Sequence, residues 1–467
     1  NTIVSSKAAI PTPMFFKRLL IVLAFFCFVD TLFLNAQQIW PGEKWQKISN
    51  PQDIGWSTQK LNEAKNIADS IGSAAVMIVH RGAVLDAWGE MDRKFMCHSM
   101  RKSLLSAMIG VHVGNGSIDL SKTLSELAID DAPNPLTDLE KTATIEQLLA
   151  SRSGIYLQAA YEWPTRKPQR GKFNPGEHWF YPNNWDYNAL LTIYEKETGN
   201  KLFEDFNTRI ARPIGMEDYE ISDGYYHFER HKSTHPAYPF RMSTRDLARF
   251  GLLFLRRGTW REQQVISKNW VEKSTSPISQ TYAEGEGYGL LWWVDQKNFK
   301  YDYFSAEGTG GHGVIVVPAL DLVIVHRTNT YVDQRISYRQ RGKLIAKIME
   351  AYTGPSVDQQ VKLSAFETPS PKPSFPSSNE VNLQLYPGNY SIEKLFDYES
   401  TSVEVYLDSS HQLAIFIPYK GYFTLHPINP YLFLLEDAQE YISFLPDENG
   451  LPKSIIYHRN SRAGKKQ

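Results

Sequence analysis

Three short segments carry residue types suited to acyl transfer. In Ser99-Met100-Arg101-Lys102 a lysine follows a serine by three positions. On a helix that spacing puts both side chains on one face, so Lys102 can reach the Ser99 hydroxyl. A serine hydroxyl is a weak nucleophile until a neighbouring base takes its proton. A lysine can do so if burial or a nearby cation lowers its pKa. The structural alternative is that Ser99 only caps a helix and Lys102 is a solvated first-turn residue. The spacing recurs at Ser57…Lys60 and Ser391…Lys394. Ser57 reads as the N-cap of a surface helix, and Ser391 falls among strands, where no helix aligns the pair. Ser99 differs because it follows a hairpin and opens an apolar helix.

The second segment, Pro175 to Leu191, contains Tyr181 and Asn183. A tyrosine with an asparagine two residues on can serve proton transfer and hydrogen-bond a substrate. It is equally the pattern of a turn before a helix. The third segment is Ala306-Glu-Gly308-Thr309-Gly-Gly-His312-Gly313, followed by an apolar run. Its glycines allow backbone N–H groups to approach a ligand closely, as an oxyanion hole requires; a plain hairpin loop would look the same. Tyr288, Trp292 and Trp293 are candidates for a ligand groove or for ordinary core packing. His227, His231 and His235 lie four apart and would share a helical face, as in a metal site. Pro236 and the lack of a His-Glu-x-x-His pattern argue against that, so no metal is expected. No Gly-x-Ser-x-Gly elbow occurs, which disfavours an α/β-hydrolase.

The surrounding elements must position these residues. Residues 76–80 and 84–88 read as a hairpin closed by Arg81-Gly82. Leu104, Leu105, Met108 and Ile109 recur at helical spacing after Ser99. Thr244 onward reads as an amphipathic helix with Ser243 as N-cap. Residues 314–317 and 322–326 read as adjacent buried strands. Strands at both ends with helices between predict an α+β domain whose N-terminal hairpin and C-terminal strands share one sheet. Pro369-Ser-Pro-Lys-Pro-Ser-Phe-Pro-Ser-Ser378 reads as a linker, placed at 365–380. Beyond it, runs at 403–407, 413–417, 422–425, 441–445 and 454–457 predict a small antiparallel β-domain over 381–467. The domain before the linker spans 37–364.

The whole chain has 467 residues, of which 42% are hydrophobic, with 50 Lys+Arg against 51 Asp+Glu. That composition excludes wholesale disorder, and the near-zero net charge argues against nucleic acid as a partner. Two cysteines exclude a disulfide scaffold. Lys17-Arg18, an apolar run over 19–29 and the small residue Ala36 resemble an export signal within residues 1–36, which makes a periplasmic or secreted protein the expectation. An uncleaved N-terminal membrane anchor is the alternative.

Taken together, the ordered segments resemble the serine β-lactamase and penicillin-binding-protein family, especially class C β-lactamases and related esterases, DD-peptidases and nylon-oligomer hydrolases. The hairpin at 74–90 and the segments 144–155 and 240–251 share the likeness, which covers roughly residues 50–350. Leu385-Tyr-Pro-Gly-Asn-Tyr390 is similar to lipocalin-like β-domains appended to such hydrolases. The resemblance implies an antiparallel sheet flanked by helices with an all-helical subdomain, then a small barrel-like domain. It implies Ser99 as acylated nucleophile, Lys102 as proton relay, Tyr181 as general base and Asn183 as partner of substrate and Lys102. Gly308 and Thr309 would line the substrate site, with the N–H groups of Ser99 and Thr309 as oxyanion hole. No cofactor and no stable partner is implied; the substrate is a small-molecule or peptide ester or amide. The third motif departs from the family, which often places a cation where Ala306 stands. His312 is the candidate to compensate. The departure favours an esterase or amidase over a β-lactamase or DD-peptidase, with a non-catalytic binding or sensor protein as the other class.

Overall fold

The computed structural model describes residues 38–162, 164–296, 299–330, 335–354, 361–368, 381–393, 400–418, 420–436, 440–447 and 449–458. The N-terminal signal-like segment and nearly all of the Pro/Ser-rich linker lie outside them. Among the described residues no helix is long and apolar enough to cross a membrane.

The central strands are apolar on both faces because each face meets helices. Along Ala75–His80, Ala75, Met77 and Val79 enter one core, while Val76 and Ile78 enter a second on the other side. Leu322–Arg327 divides the same way, with Val323 and Val325 on one face and Leu322 and Ile324 on the other. Such strands lack polar alternation because no face is left to water. The helices Thr58–Ile71 and Tyr338–Glu350 pack together over the second core. The first core holds the larger helical layer, including Arg101–Gly114 and Thr244–Leu255.

Ten strands form the main sheet among the described residues. From one edge it runs Leu363–Ala365, Gln46–Ile48, Ala83–Gly89, Ala75–His80, Leu322–Arg327, His312–Val317, Tyr303–Gly308, Trp293–Asp295, Glu286–Tyr288 and Ser279–Gln280. All neighbours are antiparallel except Gln46–Ile48 beside Ala83–Gly89. The expected sharing of one sheet by the N-terminal hairpin and C-terminal strands is therefore present, with Ile78 opposite Ile324. Ala365, assigned to the linker by composition, still pairs with Gln46. The segment 306–313 is not one loop. Ala306 to Gly308 ends a strand, and His312 opens the next, leaving a three-residue turn.

The helix Arg101–Gly114 is buried over most of its circumference. It approaches the helix Lys268–Ser274 at Gly110, where a Cβ would fall 2.2 Å from the Trp270 ring. Ser57 and Ser243 cap their helices, accepting from the Lys60 and Asp246 N–H groups. Ser57…Lys60 is thus structural, and Ser391 sits in the strand Gly388–Glu393.

Seven antiparallel strands between Gly388 and His458 form a separate barrel-like sheet, in which the first and last strands approach one another. Two of them, Gly388–Glu393 and Leu432–Leu435, are not legible as strands in the sequence. Along Gly421–Asn429 burial alternates from residue to residue, as a sheet wet on one face requires. This sheet docks on the first domain through Arg241. The Arg241 guanidinium donates to the Tyr422 carbonyl and lies 4.4 Å from the Phe423 ring centroid. Phe423, Ile415 and Leu425 belong to the same continuous core as Phe240 and Met242.

Gly110→Ala sets helix propensity, which favours alanine by about 1 kcal/mol, against overpacking of a buried indole, which costs about 1–3 kcal/mol. The clash should dominate, giving net destabilisation in urea. Gly114→Ala meets only the Ser267 side chain, with Cβ at 3.5 Å, and should be neutral or slightly stabilising. Equal effects of the two substitutions would contradict this packing.

Candidate active site

Ser99 sits where a short ribbon becomes a helix. Phe95–Met96 pairs with Arg241–Met242, and the Cys97 N–H donates to Phe240 O at 2.8 Å. A single turn, His98–Met100, then leads into Arg101–Gly114. The turn presents the Ser99 N–H at a helical start, where N–H groups have no partner within the helix. His98 adopts φ +49°, an unfavourable region for a residue with a Cβ. Its imidazole is held by Thr330 Oγ1 at 2.9 Å. Burial and the charges of Arg327, Arg335 and Arg101 push His98 down to about 3, so it is neutral.

Lys102 is 3% exposed. Its ammonium position lies 3.9 Å from the Tyr181 ring centroid and 4.0 Å from that of Tyr187. Burial, then the adjacent Arg101, hold its pKa well below the usual lysine range, while Glu162 and Asp186 act more weakly in the other direction. The solvated first-turn lysine is thereby excluded. Tyr181 is within hydrogen-bonding reach of Ser99, and burial raises its pKa above the usual tyrosine value. Desolvation of a phenolate outweighs help from a lysine that is itself driven neutral.

Asn183 is 1% exposed and does not face Lys102 through any of its hydrogen bonds. Its amide donates to Ile155 O at 2.7 Å and to Asp186 Oδ1 at 2.9 Å, and its oxygen accepts from Lys167 Nζ at 3.1 Å. Lys167 also pairs with Glu162 at 2.9 Å. Asn184 is occupied elsewhere, donating to Tyr161 O at 2.5 Å.

Gly308 lies against the nucleophile turn. A Cβ there would stand 2.6 Å from Cys97 O and 3.4 Å from His98 Cβ, so only glycine lets the strand come this close. Thr309 follows at the start of the hairpin turn. His312 does not supply the missing cation. It is fully buried, its Nδ1 accepts from Arg327 Nε at 3.0 Å, and burial with Arg327 depresses its pKa strongly. An Nδ1 that accepts leaves the proton of the neutral ring on Nε2. Glu307 turns its carboxylate to Arg341 and accepts from Ser305 Oγ at 3.0 Å.

The aromatic residues divide. Trp293, Tyr288 and Trp179 surround Tyr181 with ring centroids at 4.7, 5.5 and 6.5 Å. Trp292 points the other way, into the core against Phe254 at 4.4 Å. The three histidines do not share a helix; His227 forms an isolated bridge with Ala237, and His235 Nδ1 meets Thr192 Oγ1 at 2.9 Å. Among the described residues no group of three or more His, Cys, Asp or Glu side chains is arranged to hold a metal.

Arg327 was missed from sequence. It is fully buried at the end of a strand. Besides His312 it donates to Met242 O at 2.9 Å, Phe95 O at 2.8 Å and Met96 O at 3.1 Å. Lys167 and Asp186 were missed as well. A lone charge in a strand, loop or helix carries no sequence signal of the long-range partners it will meet.

The Beta-lactamase family model matches residues 59–347. The chain belongs to the β-lactamase family. Solved structures with this fold include a Bacillus anthracis protein described as a 6-aminohexanoate-dimer hydrolase, at 20% identity and TM-score 0.50, covering 68% of this chain and 88% of that one. A penicillin-binding protein from Bacillus halodurans follows at 14% identity and TM-score 0.48, covering 60% and 98%. An octameric penicillin-binding protein homologue from Pyrococcus abyssi gives 16% and 0.46, covering 84% and 96%. At 20% identity the likeness to the first of these is one of fold alone. No curated protein matches the chain.

Within this β-lactamase-family site Arg327→Lys keeps the charge but cannot reach four acceptors at once. Leaving buried partners unsatisfied should cost roughly 3–5 kcal/mol in urea unfolding. A loss below about 1 kcal/mol would show that the guanidinium is dispensable.

Proposed function

We propose that this chain is a serine hydrolase that cleaves esters or amides through an acyl-enzyme on Ser99. The observation that carries the reading is Lys102, three residues from Ser99, buried between two tyrosine rings and held towards its neutral form. A neutral amine at that place is a base. In the acylation step Ser99 Oγ bonds the substrate carbonyl carbon and passes its proton to Lys102 Nζ. The carbonyl oxygen becomes an oxyanion, for which the N–H groups of Ser99 and Thr309 are the donors. The bond to the leaving group then breaks, and that group takes a proton from the Tyr181 hydroxyl, which Lys102 replenishes. Water repeats the sequence in the opposite direction and releases the acid. In this reading Tyr181 is a proton donor and shuttle, because its raised pKa keeps it protonated. Asn183 supports the loop through Lys167 and Asp186.

The substrate needs no carboxylate. Ala306 offers no charge, Glu307 is held by Arg341, and His312 is neutral. Trp179, Tyr288 and Trp293 beside Tyr181 favour an apolar acyl group. The reading includes export, supported by Lys17-Arg18 and the apolar run over 19–29.

Intact-mass spectrometry after brief exposure to an activated short-chain ester should show one acyl adduct on the parent and none on Ser99→Ala. Released alcohol is read in the same tubes. Adduct or turnover undiminished in Ser99→Ala would remove Ser99 as nucleophile. Absence of both adduct and alcohol across a panel of esters and amides would favour a binding protein.

Lys102→Arg, which cannot become neutral, should slow acylation roughly 10²–10⁴-fold. For the parent, protonation of Lys102 abolishes the base, so the rate should fall as pH drops through its lowered pKa. The rate should level off at high pH well before the ordinary lysine range. A rate still climbing near pH 10 would contradict a depressed Lys102. Efficient hydrolysis of a cephalosporin would overturn the carboxylate-independent site.

A further inference from the structure

The proposed reaction needs two groups held in place, the Lys102 amine and the Tyr181 hydroxyl. One side chain touches the supports of both. Tyr187 is fully buried on the helix Asn184–Thr198, which packs against the helix carrying Lys102. The Tyr181 and Tyr187 rings stand with centroids 6.0 Å apart, and Lys102 Nζ lies 3.9 Å from one centroid and 4.0 Å from the other. The Tyr187 hydroxyl donates to the Tyr181 carbonyl at 2.8 Å. A phenol has one proton to give, so the same oxygen accepts from Ser151 Oγ, also at 2.8 Å. The Tyr181 carbonyl takes a second donor, the Asn183 N–H at 2.7 Å, which uses both of its lone pairs.

Ser151 sits just past the helix Ile145–Leu149 and is 1% exposed. Its N–H donates to Leu148 O at 3.0 Å, and the Arg152 N–H donates to Gln147 O at 2.8 Å. That pair of bonds is a helix ending that ordinarily uses glycine, because the residue in Ser151's place turns left-handed. Ser151 does so at φ +56°, against the resistance of its Cβ. The serine supplies what glycine cannot, a hydroxyl for Tyr187. Its carbonyl accepts from the Phe180 N–H at 2.9 Å. Ser151 therefore grips the Phe180–Tyr181 segment at both ends, at one directly and at the other through Tyr187. A strained residue persists where its surroundings over-determine it, and here those surroundings are the main chain of Tyr181.

We infer that Tyr187 is a positioning residue shared by both proton-transfer groups: its ring backs the Lys102 amine, and its hydroxyl, fixed by Ser151, holds the main chain of Tyr181. The inference rests on the proposed roles of Lys102 and Tyr181 in proton transfer. The charged groups that act on Lys102 are Arg101 on its own helix, Glu162 on the loop before Tyr181 and Asp186 on the helix of Tyr187. All three stay in place in the variants that test the two halves of the inference.

Tyr187→Phe keeps the ring and loses the hydroxyl. With the full-length protein and an activated short-chain ester, kcat should fall roughly tenfold while KM stays within about twofold. The pH at which the rate levels off should not move. Tyr187→Leu removes the ring as well. An aromatic face attracts an ammonium, so its loss should bring the plateau about one pH unit lower. Ser151→Ala and Ser151→Gly both lose the hydroxyl, but only glycine relaxes at φ +56°. Ser151→Gly should melt higher than Ser151→Ala, while the two share one loss of kcat of about fivefold. Activity regained with glycine would make Ser151 a helix terminus only and overturn its part. As a control, Tyr194→Phe removes another buried hydroxyl of the same helix, the one donating to Asp205. It should lower Tm and leave kcat and the plateau as they are.

The ionisation of Lys102 can be followed without turnover, by NMR on protein labelled at lysine, with the resonance assigned by its loss in Lys102→Arg. In Tyr187→Leu this titration should move to lower pH with the plateau. An unchanged kcat in Tyr187→Phe, or a Lys102 titration in Tyr187→Leu that stays or moves to higher pH, would overturn the shared positioning role. If the parent forms no adduct on Ser99 while the titration still moves to lower pH in Tyr187→Leu, the hold on the amine stands, and it is the catalytic reading that fails.

Discussion

A single guanidinium ties the nucleophile ribbon to the sheet. Arg327 stands at the end of an interior strand and reaches carbonyls of Phe95, Met96 and Met242 together with the His312 ring. Burying a charge costs several kcal/mol, and it is tolerated only where good acceptors replace water. Here those acceptors are the two halves of the ribbon that delivers Cys97, His98 and Ser99. Removing Arg327 would leave both halves with unsatisfied carbonyls, so the cost of its burial is also what fixes their position. Burial, reinforced by the same charge, keeps His98 and His312 neutral. Arg101, one residue before Lys102, adds a second positive charge. Together with burial it favours an amine over an ammonium at Lys102.

That bias decides between two candidate bases. Tyr181 reaches Ser99 and Lys102 lies over the Tyr181 ring, and burial acts on the two in opposite senses. It favours the neutral amine, which can accept a proton, and the neutral phenol, which can donate one. The aromatic faces of Tyr181 and Tyr187 around Lys102 offer modest attraction to an ammonium without the full pull of a carboxylate. A base enclosed this way can take up a proton and still release it. A direct ion pair would hold the proton instead.

Much of this was legible in the sequence, and the parts that were not share a cause. The buried strands at 75–80, 314–317 and 322–327 announce themselves by continuous β-branched runs, and the helix after Ser99 by its apolar spacing. Lys102 lies over the Tyr181 ring, and Tyr181 is within hydrogen-bonding reach of Ser99. The direction in which Asn183 points was not legible, because Lys167 and Asp186 compete for its amide and nothing in a Tyr-x-Asn spacing reveals competitors. The plain-loop alternative for 306–313 fails because Ala306-Glu307-Gly308 is paired strand, and glycine there marks close approach to Cys97. The strands Gly388–Glu393 and Leu432–Leu435 are short or rich in turn formers, and only their neighbours define them. Long-range partners, more than local conformation, are what a single sequence conceals.

The barrel contact has a consequence for the order in which the molecule is made. Arg241 pairs with Met96 in the ribbon before Ser99, and its guanidinium finds an acceptor in Tyr422, 181 residues later in the chain. A ribosome adding roughly 5–20 residues per second needs about 10–40 seconds to cover that distance. Within that interval, once Leu322–Arg327 has been made, the central sheet can close, yet the outer face of the nucleophile ribbon still lacks the Phe423 ring and the Tyr422 carbonyl that cover it. A nascent chain therefore carries Ser99 on an unfinished support until those strands emerge. The β-domain makes maturation of the site a late event in synthesis.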